Sequence, residues 1–304
     1  MTDTGLKHFL DLADYDTPDL QQMLEIGARV KSGKSDLANA LAGKTVLMMF
    51  EQPSTRTRVS LETAVKQMGG NTVVLNPNDS QLGRGETVGD TARVLSRYVD
   101  AIALRTNDHG KLDELAKFAT VPVINLLSDW SHPCQLMADL ITMQERFGRL
   151  SGLKVAWSGD GNNVLHSWMH AAARFDFELA IACPEERMPA AKALEWAKQS
   201  GAKVSVTHNA TEAVANADVV VTDVWISMGD ESDKPSLHNM LAPFRVDETL
   251  MAQAKAEAIF LHCLPAKRGQ EVTDAVLDGP QSAAWDEAEN RLHSKKGILA
   301  YCLG

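Results

Sequence analysis

No stretch of this chain approaches the roughly 20 apolar residues that cross a bilayer. Its opening, MTDTGLKHFLDLADYD, lacks the basic, apolar and small-residue order of a secretory signal. We therefore expect no membrane partner and a cytoplasmic protein. Cysteine is sparse and scattered at Cys134, Cys183, Cys263 and Cys302, with no C-x-x-C pair, which removes a disulfide framework and a zinc knuckle. Positive charge is short as well. Lys and Arg total 30 against 40 Asp and Glu, a formal net charge of −10, so a general nucleic-acid surface is excluded and any anion site must be local.

Two further absences bear on cofactors. Gly159-Asp160-Gly161 begins a G-x-G-x-x-G turn, but Val164 stands where the third glycine belongs, which counts against dinucleotide binding. His166 and His170 are four apart on a predicted helix without the glutamate of an H-E-x-x-H frame, so no metal site is expected there. Repeats and low-complexity tracts are absent too.

What is present is alternation. Short apolar runs at 45–50, 72–75, 101–104 and 121–126, and then at 154–158, 178–183, 203–207, 218–222 and 258–262, are separated by amphipathic stretches such as 135–147 and 185–199. Strands alternating with helices predict parallel sheets covered on both faces. With 304 residues the chain exceeds one typical core and suits two of about 150 residues each. The break is expected near GRLSG at 148–152, where glycine ends a helix and a new strand begins. Segments 76–86 and 227–243 are long and polar, as binding loops are.

Chemistry gathers behind the strands. FEQPSTRTR at 50–58 follows an apolar run and precedes Leu61, Ala64, Val65 and Met68 at helical spacing. Ser54 is thereby placed near a helix N-cap. Helix starts offer unpaired N–H groups and partial positive charge, to which Ser54, Thr55, Arg56 and Thr57 add hydroxyls and a guanidinium: a seat for a phosphate-like anion. Arg105 follows the 101–104 run, and SDWSHPCQ follows 121–126, putting Pro133 at the first helical position behind His132, with Gln135 in the first turn. Asp160 to Asn163, Asp223 and the His262-Cys263-Leu264-Pro265 string close three later strands. In open α/β sheets ligands collect beyond the carboxyl ends of strands.

These motifs, in this order, resemble the ornithine carbamoyltransferases. The resemblance runs nearly end to end through FEQPSTRTR, QLGRGET, DTARVLSRYVDA, LRT, HPCQ, GDGNNV, TDVWISMG, HCLP, VTDAV and WDEAENRLHSKK. It implies an α/β fold of two doubly wound parallel-sheet domains with the active site in the cleft between them. Residues 1–148 would bind carbamoyl phosphate, with a C-terminal helix at about 286–304 packing back on them, and 149–285 would bind ornithine. It also implies a homotrimer acting in arginine biosynthesis, with carbamoyl phosphate and L-ornithine as substrates, citrulline and phosphate as products, and no metal or organic cofactor.

Carried over by position, Ser54, Thr55, Arg56, Thr57, Gln81, Arg105, His132, Pro133, Cys134, Gln135, Cys263, Leu264 and Arg291 would bind carbamoyl phosphate. Asn163, Asp223, Ser227 and Met228 would hold ornithine, and Arg105, His132, Asp223 and Cys263 would act in catalysis. Gln52, where many relatives carry a basic residue, and Lys267, where histidine is common, depart from the pattern. The alternatives are transfer to putrescine or an N-acylated ornithine, a nicotinamide-dependent dehydrogenase, and a non-catalytic binding protein that keeps the fold.

Overall fold

A computed structural model describes residues 5–76, 85–226 and 234–304. The chain forms two compact units: one runs from the N-terminal part through Ile141 and takes in Asn290–Gly304, the other is Thr142–Glu289.

The first unit is built on a four-stranded parallel sheet in the order β2-β1-β3-β4, with β1 Thr45–Phe50, β2 Asn71–Leu75, β3 Ala101–Arg105 and β4 Val123–Leu127. Helices α2 Thr55–Gln67, α3 Val88–Leu95, α4 His109–Phe118 and α5 Pro133–Phe147 follow the four strands in turn. The central strands β1 and β3 are almost wholly buried, whereas β2, at the edge, is partly exposed. Burial on both faces is why the inner strands read as unbroken apolar runs. Leu47 pairs with Ile102 and Met49 with Leu104, and these join Leu112, Leu115 and Ala92 in one core layer. α1 Thr17–Lys31 is capped by the Asp16 carboxylate. Phe9 bridges Ile124, adding a short stretch beside β4.

The second unit holds five parallel strands in the order β7-β6-β5-β8-β9: β5 Lys154–Ser158, β6 Glu178–Ala182, β7 Lys203–Thr207, β8 Val219–Val221 and β9 Ile259–Leu261. α6 Asn163–Phe175 leaves β5, and α7 Ala191–Gln199 and α8 Ala210–Val214 flank β7. α9 Lys234–Leu241 and α10 Glu248–Met251 lie between β8 and β9. Beyond β9 come α11 Asp274–Leu277 and α12 Ala284–Leu303. Trp225, Leu237, Leu241, Phe244 and Phe260 anchor the core of this unit.

Two local expectations change. The helix expected over 185–199 begins only at Ala191; Glu185–Arg187 is a 3-10 turn followed by extended backbone at Met188. Pro189 disfavours helix at the residue before it. The segment 227–243 is not all irregular either, because α9 occupies its second half. Leu237 and Leu241 bury one face of that turn in the core, a four-residue spacing that polar neighbours hid.

Both sheets reverse direction once. In the first, β1 leads outward to β2 and the chain then returns to β3; in the second, β5 leads to β6 and β7 before the chain returns to β8. The crevice at such a reversal is where open α/β sheets bind ligands. Phe50 and Arg105 are register partners at the first reversal, and Trp157 pairs with Val221 at the second. Among the described residues no helix is long and apolar enough to cross a membrane.

Candidate active site

The first unit gathers hydroxyls, helix N–H groups and guanidinium groups at its sheet reversal. Ser54 is the N-cap of α2, with extended backbone and no side-chain capping bond. Its hydroxyl is therefore not consumed by the helix, and the first-turn N–H groups of α2 lack intrahelical acceptors. Thr57, fully buried, accepts a hydrogen bond from Arg291 Nη2 at 2.8 Å. Accepting there leaves the Thr57 proton to be donated, and it has no acceptor among the described residues. Arg56 and Thr55 are exposed, on the solvent side of the same turn.

Three features fix this corner. Glu51 N donates to the Arg105 carbonyl at 2.9 Å, and the Glu51 carboxylate accepts from Thr106 Oγ1 and Lys111 Nζ, each at 2.6 Å, tying the ends of β1 and β3 together. The loop into α5 is held by Asn125 Nδ2 on Ser131 Oγ at 3.2 Å and by Ser128 N on Ser131 O at 2.9 Å. Pro133 opens α5, and the His132 carbonyl accepts from Gln135 N and Leu136 N.

Arg105, His132 and Arg291 are all nearly inaccessible, at 8%, 3% and 4% exposure. Burial, reinforced by the positive charges of Arg291, Arg105 and Lys295, holds the His132 imidazole well below its ordinary range. It is a neutral ring near pH 7, so it adds no positive charge to that of the arginines in this corner. Gln135 Nε2 donates to Asp139 Oδ1 at 2.7 Å, which orients its amide. Cys134 is a buried thiol that donates to the Asn125 carbonyl at 3.2 Å, and burial pushes it up to about 11.

The second unit assembles a different group at its own reversal. Asp223, 7% exposed, follows β8, and its Oδ1 accepts from Cys263 Sγ at 3.0 Å and from Val224 N at 2.7 Å. Its Oδ2 accepts from Asn162 Nδ2 at 2.8 Å. Asn162 also caps α6, accepting from Val164 N and Leu165 N, so one side chain starts the helix that carries Asn163 and orients the carboxylate. Leu264 N donates to His262 Nδ1 at 2.9 Å. Because a backbone N–H can only donate, the His262 proton sits on Nε2, which faces Glu271 Oε1 at 3.2 Å. This fixes the turn presenting Cys263 and Leu264.

Asp223, His262 and Cys263 offer donor atoms within 4.8 Å of one another. Both His262 nitrogens are already engaged, which leaves two ligands where a structural zinc takes four. His166 Nε2 accepts from Ala190 N at 3.1 Å and His170 packs edge-on against Trp196, so this helical pair serves packing. The glycine pair is explained locally: Gly159 has a φ of 143°, and a Cβ on Gly161 would lie 2.4 Å from the Arg187 carbonyl oxygen.

The structure thus brings Ser54, Thr57, Arg105, His132, Gln135 and Arg291 into the first unit, and Asn163, Asp223, Cys263 and Leu264 into the second. Gln81, Ser227 and Met228 lie outside the described residues. Sequence reasoning missed Asn162 as the partner of Asp223, although its place before a helical pattern signals an N-cap. It also missed Asp139, four positions after Gln135 on the same helix.

Two parallel-sheet units, one with basic and hydroxyl groups at its reversal and the other with a carboxylate-thiol pair at its own, define a two-domain α/β protein with polar chemistry at the strand ends of each domain. The carbamoyl-P binding domain model of the aspartate/ornithine carbamoyltransferases matches residues 7–145, and the Asp/Orn binding domain model matches 151–302. Over 98% of both chains the protein is 53% identical to the ornithine carbamoyltransferase of Agrobacterium fabrum. It is 54% identical to that of Rhodopseudomonas palustris over 98% of this chain and 97% of the relative. Among solved structures, the ornithine carbamoyltransferase from Pyrococcus furiosus superposes with a TM-score of 0.93 at 47% identity, over 98% of this chain and 97% of that one. The anabolic enzyme from Campylobacter jejuni gives 0.92 at 39%, covering 98% and 99%. The chain belongs to the aspartate/ornithine carbamoyltransferase family.

Proposed function

We propose that the protein transfers the carbamoyl group of carbamoyl phosphate to the side-chain amine of L-ornithine, giving L-citrulline and phosphate. The observation that carries this reading is that the two sheet reversals differ in charge: arginines and a neutral imidazole at one, the Asp223 carboxylate at the other. A phosphorylated donor suits the first and a cationic amine suits the second. An aspartate acceptor would ask for cations where Asp223 stands, which favours ornithine within the family.

In this mechanism Ser54, Thr55, Arg56, Thr57 and Arg291 hold the phosphate, while Arg105 and His132 donate to the carbamoyl oxygen as it gains charge in the tetrahedral transition state. A neutral His132 donates without adding a buried charge. The acceptor amine resembles lysine, whose solution pKa of about 10.4 makes deprotonation near pH 7 cost roughly 4–5 kcal/mol. Asp223 and the Cys263 thiol orient that amine. Nitrogen attacks the carbamoyl carbon, the C–O bond to phosphate breaks, and the leaving phosphate takes the proton. Cys263, hydrogen-bonded to Asp223, forms no covalent intermediate. The step transfers no electrons and calls for no cofactor.

The same reading extends to a cytoplasmic homotrimer in arginine biosynthesis, with Gln81, Ser227, Met228 and Asn163 contributing to substrate binding. The decisive test is citrulline formation from carbamoyl phosphate with a panel of L-ornithine, putrescine, N-acetylornithine and L-aspartate. Ornithine should be preferred over L-aspartate, which lacks the distal amine, at least about a hundredfold, as expected when a buried charged partner is satisfied or left unpaired, and should also turn over faster than putrescine and N-acetylornithine; preference for another amine would overturn the assignment. Sedimentation of a fully active monomer would remove the trimer.

A further inference from the structure

The C-terminal helix carries a basic side chain that this mechanism does not use. Lys295 is only 2% exposed, and its Nζ donates to Ser60 Oγ at 2.6 Å. Ser60 Oγ donates in turn to the Arg56 carbonyl at 2.6 Å. The chain Lys295–Ser60–Arg56 therefore reaches the first turn of α2, one turn along from the Arg291–Thr57 bond. The two links make a ladder of basic side chains from α12 against hydroxyls of α2.

The charged surroundings of Lys295 are one-sided. Arg291 faces it from its own helix, Cys134 faces it from α5, and its charge is felt by His132 at the head of α5; from α2 it meets the Ser60 hydroxyl. Among the described residues no carboxylate pairs with it. Burial first, and Arg291 second, push its ammonium well below the ordinary lysine range, while Cys134, at about 11, is a neutral thiol. A buried amine beside an arginine, lacking a negative partner, changes protonation when a negative charge arrives nearby, and the proposed anion seat is where such a charge would arrive.

We infer that Lys295 is a positioning residue of the anion seat, taking up a proton when a phosphate dianion binds and thereby tightening the Lys295–Ser60–Arg56 chain that holds the first turn of α2. This rests on the phosphate-seat reading above. The proton comes from solvent and resides on Nζ, and no covalent bond changes.

Titration calorimetry of inorganic phosphate into the full chain at pH 8.5, in buffers of different ionisation enthalpy, tests it. At that pH phosphate is already a dianion, and His132 and Cys134 stay neutral. The wild-type protein should take up protons on binding phosphate, at most one per phosphate bound, and its affinity should fall as pH rises, by up to tenfold per unit. Lys295→Gln keeps an N–H donor for Ser60 but cannot titrate, so it should lose the uptake and bind phosphate about tenfold more weakly. Lys295→Arg, permanently charged, should also lose the uptake. Phosphate binding to the wild type without buffer dependence, or uptake that survives in either variant, overturns the inference and leaves the seat standing. Failure of the wild type to bind phosphate removes both.

Discussion

Arg291 and Thr57 stand 234 positions apart in sequence and meet through a 2.8 Å hydrogen bond from guanidinium to hydroxyl. Both are buried, and the bond leaves Thr57 able to donate outward. Thr57→Val removes that acceptor and that donor together at nearly constant size. Loss of a hydrogen bond to a charged group costs about 1.5–3 kcal/mol, so phosphate affinity should drop tenfold to a hundredfold. Thr57→Ser should retain most of it. Calorimetric titration with phosphate reads the difference, and wild-type affinity in Thr57→Val would mean the hydroxyl does not face the ligand.

His132 gives the stability a pH signature. Its folded-state pKa lies well below 6.5 because of burial and then the Arg291, Arg105 and Lys295 charges, whereas the unfolded ring titrates near 6.5. Between those values the unfolded chain holds the extra proton, so this contribution is complete above about pH 6.5 and is lost as pH falls toward the folded pKa. Its limiting slope is about 1.4 kcal/mol per pH unit. Urea denaturation at pH 7.5 and pH 5.0 should show a larger acid loss in the wild type than in His132→Asn. Equal losses would indicate that His132 becomes protonated in place.

Much of this architecture was legible because fully buried parallel strands are short apolar runs. The runs expected at 45–50 and 154–158 match β1 and β5 to the residue, and their polar followers mark the sheet reversals; the run at 203–207 also matches β7 to the residue, although that edge strand is largely exposed and shows itself by alternation instead. What the sequence concealed is long-range or side-chain-specific. The Arg291–Thr57 and Lys295–Ser60 links span 234 and 235 positions, and no local period encodes them. α12 buries Arg291, His293, Lys295 and Lys296, so its buried face reads as polar. The chain at 185–190 looked helical by pattern, until Pro189 set the start of α7 later.

Asp223 and Cys263 should separate the two binding events. Asp223→Asn removes the charge on which Cys263 Sγ, Val224 N and Asn162 Nδ2 converge, so kcat/KM for ornithine should fall about tenfold to a hundredfold, the range for losing a charged hydrogen bond. Phosphate affinity, which depends on residues of the first unit, should stay within about twofold, as expected of sites sharing no partners. Cys263→Ser keeps a donor for Asp223 and should be milder than Cys263→Ala. Steady-state kinetics with both substrates, alongside phosphate titration, distinguishes these outcomes; a parallel collapse of phosphate affinity would refute the division of labour.

Gly161 tests whether the glycines after β5 are a vestige of nucleotide binding or a packing requirement. A Cβ at this position would lie 2.4 Å from Arg187 O, 2.4 Å from Pro189 N and 2.5 Å from Met188 C. All three are backbone atoms that cannot rotate away, and Gly161 N itself donates to Arg187 O at 2.9 Å. The opposing segment is held by Arg187, whose guanidinium grips both Asp160 oxygens at 2.7 and 2.9 Å. Gly161→Ala therefore has to push the 187–189 backbone off that clamp, at a cost of about 3 kcal/mol, the upper part of the range for overpacking. The same shift moves Asn162 away from Asp223, so ornithine turnover should weaken along with stability. Urea midpoints and the KM for ornithine should change together. An alanine variant with wild-type stability would show that the 187–189 segment yields freely, and that room at Gly161 is kept for something other than packing.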